Sequence, residues 1–555
     1  LPFPLEEYRN RLGRVQSEMA SRGLDLMMVH TLENTYYLSG YRTIGYYSYM
    51  AFLVPPEGDP VHLSRLIEKS ALQGSSWVPH LEFYPDTEHY LDAPLRVLRE
   101  RGWDRGRIGI DKSAWYLTIA DYEALKDRLP DVEWVDTSLL IEDITLIDGT
   151  GRPAVPNTWV LVEGDRITRV AAREIEAPAG AERIDGRGKF LIPGLMDMHI
   201  HLSGGRGRGG PDERAGMRAL HGFLYSGFTS VFDAGNNPDY IMGLRARERA
   251  GEITAPRIFA TGGVVTAPGG HGGGSGATLV DEWPGDIPQL DAHIAREPDL
   301  VKLTFDEHGW GTRPLIPLLD PGLMAKIGNY FNERGIRTTV HISHEFRARQ
   351  AIEAGINTLA HPIIQGPVSE GFVSLMAATK VPMVSTLTIG EGYSRLVEHP
   401  EFLDRPIYQA TYEPETVQQL RTTVRDAYAA RTWTTWMKVM TPVAQENLRL
   451  IAEAGGVIVL GSDQSTGPAS HRELELMVEG GISALEAIRI GTLNAAIFMG
   501  KEREIGSVEE GKLADLVVLS ADPLDDISNA QEIDLVIKGG TIIDRSDLDL
   551  PINRR

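Results

Sequence analysis

The chain has 555 residues, and its 55 Lys and Arg against 77 Asp and Glu give a formal net charge of −22. Nucleic acids and anionic membranes attract basic surfaces, so this charge argues against both as partners. No apolar run approaches the roughly 18 residues of a membrane helix, and the lack of cysteine excludes disulfides, thiolate metal ligands and a cysteine nucleophile. The chain starts Leu1-Pro2-Phe3-Pro4 without a signal pattern, so we expect a cytoplasmic enzyme that acts on a small molecule.

The first 140 residues are predicted to form a separate α/β domain. Apolar residues at helical spacing predict a helix over 5–22, and strand and helix patterns then alternate to residue 140. The runs "GLDLMMVHTLENTYYLSGY" and "AFLVPPEGDPVHLS" make this segment similar to the N-terminal domain of the creatinase and prolidase family. That resemblance implies a domain without metal ligands that supports a homo-oligomer, a dimer or higher, and can cap a neighbouring active site. The metal-binding domain that follows in that family does not follow here.

The rest of the chain predicts a (β/α)8 TIM barrel inserted in a small β-sandwich, which makes the whole an α/β protein. Hairpin-like strands fill 141–194 and return in 506–555, so both segments are assigned to one β-sandwich around a barrel over 195–505. A helical stretch at about 390–454 is predicted to be an insertion over the barrel mouth. The eight predicted barrel strands are 194–202, 229–234, 257–261, 300–304, 338–343, 358–362, 381–386 and 457–463.

Metal-capable side chains come at the ends of five of these strands. His199 and His201 end the first strand, and residues two apart on a strand face the same way, so both imidazoles can reach one metal. Strand four carries Lys302 between apolar residues, in a chain that has only 11 Lys against 44 Arg. A lysine there is costly unless it loses its charge, and a neutral amine can react with CO2 to form a carbamate. The set is completed by His341, His361 and Asp463.

This order of ligands resembles the amidohydrolase superfamily, together with "GLMDMHIHL", "TVHISH", "NTLAHP" and "VIVLGSD". The resemblance covers about residues 141–547 and implies a binuclear centre. His199, His201 and Asp463 would bind one divalent metal and His341 and His361 the other, with carboxylated Lys302 and a hydroxide between them. The donor set suits Zn2+, with Mn2+, Co2+ or Ni2+ as alternatives. Asp463 would be catalytic, taking the proton of the hydroxide and passing it to the leaving amine.

Three further histidines are candidate substrate-binding residues. His271 lies in the loop "TGGVVTAPGGHGGGSG" and resembles a loop histidine of the dipeptidase-like and ochratoxin-hydrolase-like amidohydrolases. A nucleotide-phosphate loop is the competing interpretation, but no GK[ST] follows. His344 is assigned to the substrate, with a supporting or helix-capping role as its alternative. His471 resembles a residue of the imidazolonepropionase-like members, and it too has helix capping as its alternative.

We therefore predict a metal-dependent hydrolase that cleaves an amide bond of a dipeptide-like or N-acyl amino acid substrate by attack of a metal-bridging hydroxide. Hydrolysis of a cyclic amide or imidazolone is one alternative, although those relatives often have one metal and lack the strand-four lysine, so Lys302 argues against it. A lactone, ester or carbon–carbon bond hydrolase is a second alternative, because the same hydroxide attacks any polarised carbonyl. A non-catalytic scaffold is a third, but such proteins typically lose ligands and none is missing here.

Overall fold

The computed structural model describes residues 2–21, 23–43, 48–110, 117–136, 138–176, 178, 181–205, 210–274, 276–309 and 313–554. The chain divides into two compact units, the first made of Leu1–Glu142, Trp159–Asp185 and Ala250–Glu252, and the second of Asp143–Thr158, Gly186–Arg249 and Ile253–Arg555. The predicted domain boundaries stay predictions. None of the helices in these ranges is long and apolar enough to cross a membrane.

The first unit is an α/β layer structure. Its elements in chain order are α1 (Leu5–Ser21), β1 (Leu26–Val29), α2 (Leu32–Ser39), β2 (Ala51–Val54), β3 (Val61–Arg65), α3 (Lys69–Ser75), β4 (His80–Tyr84), α4 (Asp92–Glu100), β5 (Gly106–Ile110), α5 (Ile119–Arg128) and β6 (Val132–Asp136). They are followed by β7 (Leu139–Leu146), of which residues 139–142 belong to this unit, β8 (Val155–Glu163), of which residues 159–163 do, β9 (Arg166–Ala171) and β10 (Glu182–Asp185).

The sheet of this unit has the strand order β4–β3–β2–β1–β5–β6 in the part of the chain that is described. β1 pairs antiparallel with β2 and parallel with β5. All four residues of β2 are buried, as expected for an inner strand covered on both faces. β8 and β9 form an antiparallel hairpin, and β10 pairs with residues 139–142 of β7. The predicted N-terminal α/β fold is therefore confirmed.

The second unit contains the barrel. Its elements are β11 (Phe190–Pro193), β12 (Leu195–Ile200), α6 (Glu213–Tyr225), β13 (Phe228–Asp233), α7 (Pro238–Arg249), β14 (Arg257–Ala260), β15 (Val264–Thr266), β16 (Thr278–Leu279), α8 (Ile287–Ile294), β17 (Val301–Thr304), α9 (Pro321–Asn332), β18 (Thr338–His341), α10 (Glu345–Glu353), β19 (Thr358–Leu359), α11 (Glu370–Thr379), β20 (Met383–Val384), α12 (Leu387–Glu398), α13 (Pro406–Thr411), α14 (Pro414–Gln419), α15 (Arg425–Ala429), α16 (Thr432–Glu453), β21 (Ile458–Val459), α17 (Gly467–Glu479), α18 (Ala484–Ile490), α19 (Leu493–Met499), β22 (Leu516–Leu519), β23 (Ile533–Lys538) and β24 (Thr541–Ile542).

Within the described ranges, eight parallel strand positions close the barrel, in the order β12, β13, β14 with β15, β17, β18, β19, β20 and β21. The last position returns to the first through the Met198 N–H, which donates to the Leu460 carbonyl at 2.9 Å. The third position is split into β14 and β15 at Gly262-Gly263, both of which have positive φ. The predicted (β/α)8 fold is confirmed, with its strand ends on one side as the site requires.

The small sheet of the second unit joins both ends of the module. β11 pairs antiparallel with β22, which pairs with β23, and β24 completes the edge. Thr145 and Leu146 of β7 pair parallel with Phe190 and Leu191. Strands that are far apart in sequence thus share one sheet, as the strand patterns in 141–194 and 506–555 predicted.

The helical insertion is attached to the barrel by a buried ion pair. Glu475 on α17 accepts from Arg405, just before α13, at 2.6 Å and from Arg472 at 3.0 Å, and its side chain is 9% exposed. Burial alone would raise the pKa of Glu475, but the hydrogen bonds and charges of these two arginines outweigh it and hold the pKa at about 2. The carboxylate therefore stabilises the folded protein at neutral pH.

We expect Glu475→Gln to lower the free energy of unfolding at pH 7 by roughly 2–3 kcal/mol. The folded pKa lies below the unfolded value of about 4.3, so this contribution is complete above that pH and is lost as pH falls toward 2. Calorimetric unfolding of wild type and variant from pH 7 to pH 3 measures the difference, which should shrink on acidification. The exposed Glu398–Lys438 pair supplies the control, because Glu398→Gln should change little. A wild-type–variant difference that stays constant with pH contradicts the assignment.

Candidate metal centre

Two histidines of the first barrel strand and an aspartate after the last one converge at one end of the barrel. The His201 Nε2 lies 3.3 Å from an Asp463 carboxylate oxygen, and the His199 Nε2 lies 3.7 Å from the same oxygen. One ligand atom from each residue lies within 4.8 Å of the other two. Three donors at this spacing can hold one divalent cation.

Backbone carbonyls fix the orientation of both imidazoles. The Nδ1–H of His199 donates to the Ala360 carbonyl at 2.8 Å, and that of His201 donates to the Gly235 carbonyl at 2.7 Å. These hydrogen bonds leave each Nε2 as an acceptor that faces the Asp463 side, which is the tautomer that a metal ligand needs. Asp463 has φ of +53° and donates its own N–H to the His199 carbonyl at 2.7 Å. The backbone thus brings strand eight directly against the two histidines.

Lys302 lies at the centre of the group and is 3% exposed. Its Nζ is 2.9 Å from the His199 Nε2, and the backbone N–H of Lys302 donates to the Thr261 hydroxyl at 2.9 Å. Nothing about this position resembles a surface lysine. Lys302 is buried, in keeping with its place between apolar residues of strand four, and its role in the centre stays a prediction.

His341 and His361 form the other side of the centre. Their ring centroids are 4.3 Å apart, and the His361 ring is 4.5 Å from that of His199. His341 donates its Nε2–H to Asp306 at 3.2 Å, and the His361 Nδ1 lies 2.9 Å from the Thr386 hydroxyl. The other ring nitrogens, Nδ1 of His341 and Nε2 of His361, are buried and have no hydrogen-bond partner among the described residues. Buried polar atoms without partners are costly, and two neighbouring ones fit a second cation.

The electrostatics favour neutral imidazoles throughout. Burial is the main cause that lowers the pKa of His199 and His361 well below the usual value, and it also lowers that of His341. Burial would raise the pKa of Asp306, but its hydrogen bond with His341 and the other bonds to its carboxylate hold it at about 2. Neutral histidines supported by a carboxylate are the form in which imidazole binds metals.

A buried carboxylate supports the first strand from behind. Asp197 accepts from the His199 N–H at 3.0 Å, from the Ser462 N–H at 3.2 Å and from the Ser470 hydroxyl at 2.6 Å. Burial raises its pKa to about 6 despite these bonds. Asp197 thereby ties the His199 backbone to strand eight and to α17.

Of the three predicted substrate histidines, the structure brings one to this centre. His271 lines the same cavity and stacks on His341, with ring centroids 4.1 Å apart, and its Nδ1 is 2.8 Å from the His308 Nε2. His344 precedes α10 with its Nε2 3.9 Å from a Glu307 carboxylate oxygen, and His471 is buried on α17 against the Ser226 carbonyl, 2.8 Å from its Nε2. Neither His344 nor His471 lines the cavity in the described part of the structure.

The cavity over the centre has a volume of about 250 Å³. One face of α12 and one face of α16 form its apolar wall, because the contributing residues recur at helical spacing. Sequence reasoning found Lys302 and Asp463 but missed the other non-histidine residues of this site. Asp306 follows strand four by two residues and Thr386 ends the predicted seventh strand, so both hold positions at which a polar side chain can be noticed. The other missed residues come from a loop and the insertion, where the sequence gives no local indication. The missed lining residues include Asp306, Arg313, Thr386, Tyr393, Trp433, Met437 and Met440.

Comparison with known proteins gives two family matches. The profile of the amidohydrolase family matches residues 190–543, and that of the creatinase/prolidase N-terminal domain matches residues 11–147. Ectoine hydrolase from Halomonas elongata is 31% identical over 152 residues, which are 25% of this chain and only 38% of that relative's length. Ochratoxinase from Aspergillus niger is 25% identical over 438 residues, covering 72% of this chain and 85% of the relative.

Solved structures share the fold. A Xaa-Pro dipeptidase with bound methionine in its active site superposes with a TM-score of 0.59 at 24% identity, covering 73% of this chain and all of that one. At this sequence identity, the similarity supports a shared fold and nothing further.

Proposed function

The chain belongs to the amidohydrolase family, a family of hydrolases, and from that premise we propose that it hydrolyses an amide bond of a peptide-like or N-acyl amino acid substrate at a binuclear metal centre. One ion would be held by His199, His201 and Asp463, and the other by His341 and His361. The observation that carries the proposal is the pair of buried ring nitrogens, His341 Nδ1 and His361 Nε2, without hydrogen-bond partners among the described residues beside a three-donor cluster.

The nitrogen and oxygen donors suit Zn2+ as the ion at both positions. Two such cations polarise a scissile carbonyl and lower the pKa of water so that a nucleophile is available near neutral pH. The protein's own part is proton transfer. An Asp463 carboxylate oxygen, 3.3 Å from the His201 Nε2, would accept the proton of the attacking water and donate it to the leaving nitrogen.

We propose that Lys302 serves as a carbamate between the two ion positions. The uncharged amine would attack CO2, forming a nitrogen–carbon bond and releasing one proton, so that a carboxylate-like group replaces the amine. One support is that Lys302 is only 3% exposed. A second is that a charge on Lys302 would lower the pKa values of His199, His341 and His361, in addition to the larger effect of burial. A bare ammonium among these donors would be unfavourable.

The test is hydrolysis of a panel of N-acyl amino acids, dipeptides and lactams by the purified chain with added Zn2+, Mn2+ or Co2+. We expect release of free amine from the open-chain amides, and loss of that release on chelation. Hydrolysis of lactams alone would favour the cyclic-amide alternative, and no hydrolysis with two bound ions would contradict the proposal.

We further propose that the chain forms a homo-oligomer through its first unit, supported by the match of residues 11–147 to the creatinase/prolidase N-terminal domain. Light scattering of the intact chain tests it. A mass of 61.1 kDa, that of one chain, would contradict it.

A further inference from the structure

A cation lies in the wall of the cavity, outside the set of metal-capable residues. Arg313, in the loop between β17 and α9, lines the cavity and is partly buried. Its Cζ lies 4.6 Å from the centroid of the Trp433 ring on α16. Stacking engages the flat face of a guanidinium, whereas its N–H donors lie in the plane of the group, where they match the two oxygens of a carboxylate.

The field of Arg313 reaches the metal side of the cavity. Burial lowers the pKa of His308 to about 4, with the Arg313 charge as the next cause, and His308 lies 2.8 Å from the cavity histidine His271. Burial is the main cause that raises the pKa of Tyr393, and the charges of Asp463 and Arg313 shift this pKa in opposite directions. The charges of Asp463 and Arg313 thus both act on Tyr393, whose side chain lines the same cavity.

The part of the wall formed by α12 and α16 is mainly apolar and closely packed. On α12, Ile389, Gly390 and Tyr393 line the cavity, and the Tyr393 ring is 5.5 Å from that of Trp433. A Cβ at Gly390 would lie 3.3 Å from the Met437 sulfur, so the two helices approach each other at this point. A ligand that fills this space would place a bulky apolar group against these helices, and an anionic group of the ligand could reach the guanidinium.

We propose that Arg313, held on Trp433, binds the free carboxylate of the substrate, so that the enzyme selects amides bearing both a carboxylate and a large apolar group over neutral amides of the same shape. This inference rests on the proposed function for its scissile bond. It adds the residue that determines specificity and the charge that the substrate carries.

The experiment compares an N-acyl-L-phenylalanine with its carboxamide, which has the same shape and no charge. For wild type, kcat/KM should favour the acid by about 10- to 100-fold, mostly through KM. In Arg313→Met, kcat/KM for the acid should fall by that same factor, and kcat/KM for the carboxamide should change by less than about threefold. The amount of bound metal should stay unchanged. Arg313→Lys should fall between them, because it keeps the charge without the planar fork. Arg334→Met is the matched control. The Arg334 Cζ lies 3.5 Å from the centroid of the Tyr330 ring, but Arg334 lies outside the cavity lining.

Calorimetric measurement of the binding of the same two compounds separates this inference from the proposed function. If wild type cleaves no amide, the proposed function fails, and the inference is still decided by whether wild type binds the acid more tightly than the carboxamide and Arg313→Met does not. Equal kcat/KM or equal binding of acid and carboxamide by wild type overturns the inference. Equal losses on both compounds in Arg313→Met overturn it as well, because that pattern indicates a structural role.

Discussion

Lys302→Ala is expected to lower kcat/KM on the order of a thousandfold and to reduce bound metal below two ions per chain. The Lys302 Nζ lies 2.9 Å from the His199 Nε2 in a buried site, and we propose that its carbamate holds both ion positions together. Removing the side chain would leave His199, His341 and His361 without the group that links them. Short carboxylates such as acetate should restore part of the activity, because they can occupy the space of the missing carbamate.

The matched control is Lys326→Ala, on the exposed face of α9. The variant should keep both metal content and kcat/KM, since this lysine is exposed and lies outside the described residues that line the cavity. Elemental analysis of the purified variants supplies the metal content. Full activity with two metals retained in Lys302→Ala would rule out the carbamate-bridged centre.

Asp463→Asn should have an effect of similar size, but for a different reason. Asparagine has the same shape and tolerates the positive φ of +53° at this position, so the fold and the backbone bond to His199 should persist. The amide cannot accept a proton from water or return one to the leaving nitrogen. We therefore expect kcat to fall on the order of a thousandfold, with a smaller change in KM.

Asp239→Asn on α7 tests whether any such change disturbs the barrel, because Asp239 is exposed and does not line the cavity. It should behave as wild type in kcat and KM. An Asp463→Asn variant that keeps the wild-type kcat would show that another group carries the proton.

The metal-capable residues could be found from the sequence because each lies in or just after an apolar barrel strand. In a (β/α)8 barrel all strand ends meet at one face, so His199, His341, His361 and Asp463 converge whatever the details of the helices. The family resemblance and the fold it implied are confirmed by the match over residues 190–543. The roles assigned to individual residues stay predictions that the variants above address.

The substrate side of the cavity was beyond sequence reasoning. Trp433 and Tyr393 belong to insertion helices whose orientation depends on packing between α12 and α16, and periodicity says only that each helix has an apolar face. The prediction for His344 rests on its place three residues after His341, and that for His471 on a resemblance to imidazolonepropionase-like members. In the fold, however, His344 lies just before α10 near Glu307, and His471 packs on Phe228, because the direction of a side chain depends on the local backbone and its neighbours.

The barrel strands also differ in their limits from the strands that the sequence predicted. The predicted seventh strand spans six residues, but β20 covers only Met383–Val384. The third strand breaks at Gly262-Gly263, where positive φ interrupts the extended backbone, and this break lies just before the loop that carries His271. Hydrogen bonding decides such limits, and a propensity for β structure does not reveal them.

The most direct test of the binuclear amide hydrolase is a titration of the metal-depleted chain with Zn2+ while hydrolysis of an N-acyl amino acid is followed. The site geometry predicts activity that rises from near zero and levels off at two equivalents per chain. Activity that is undiminished in the metal-depleted protein, or that is complete at one equivalent, would contradict it.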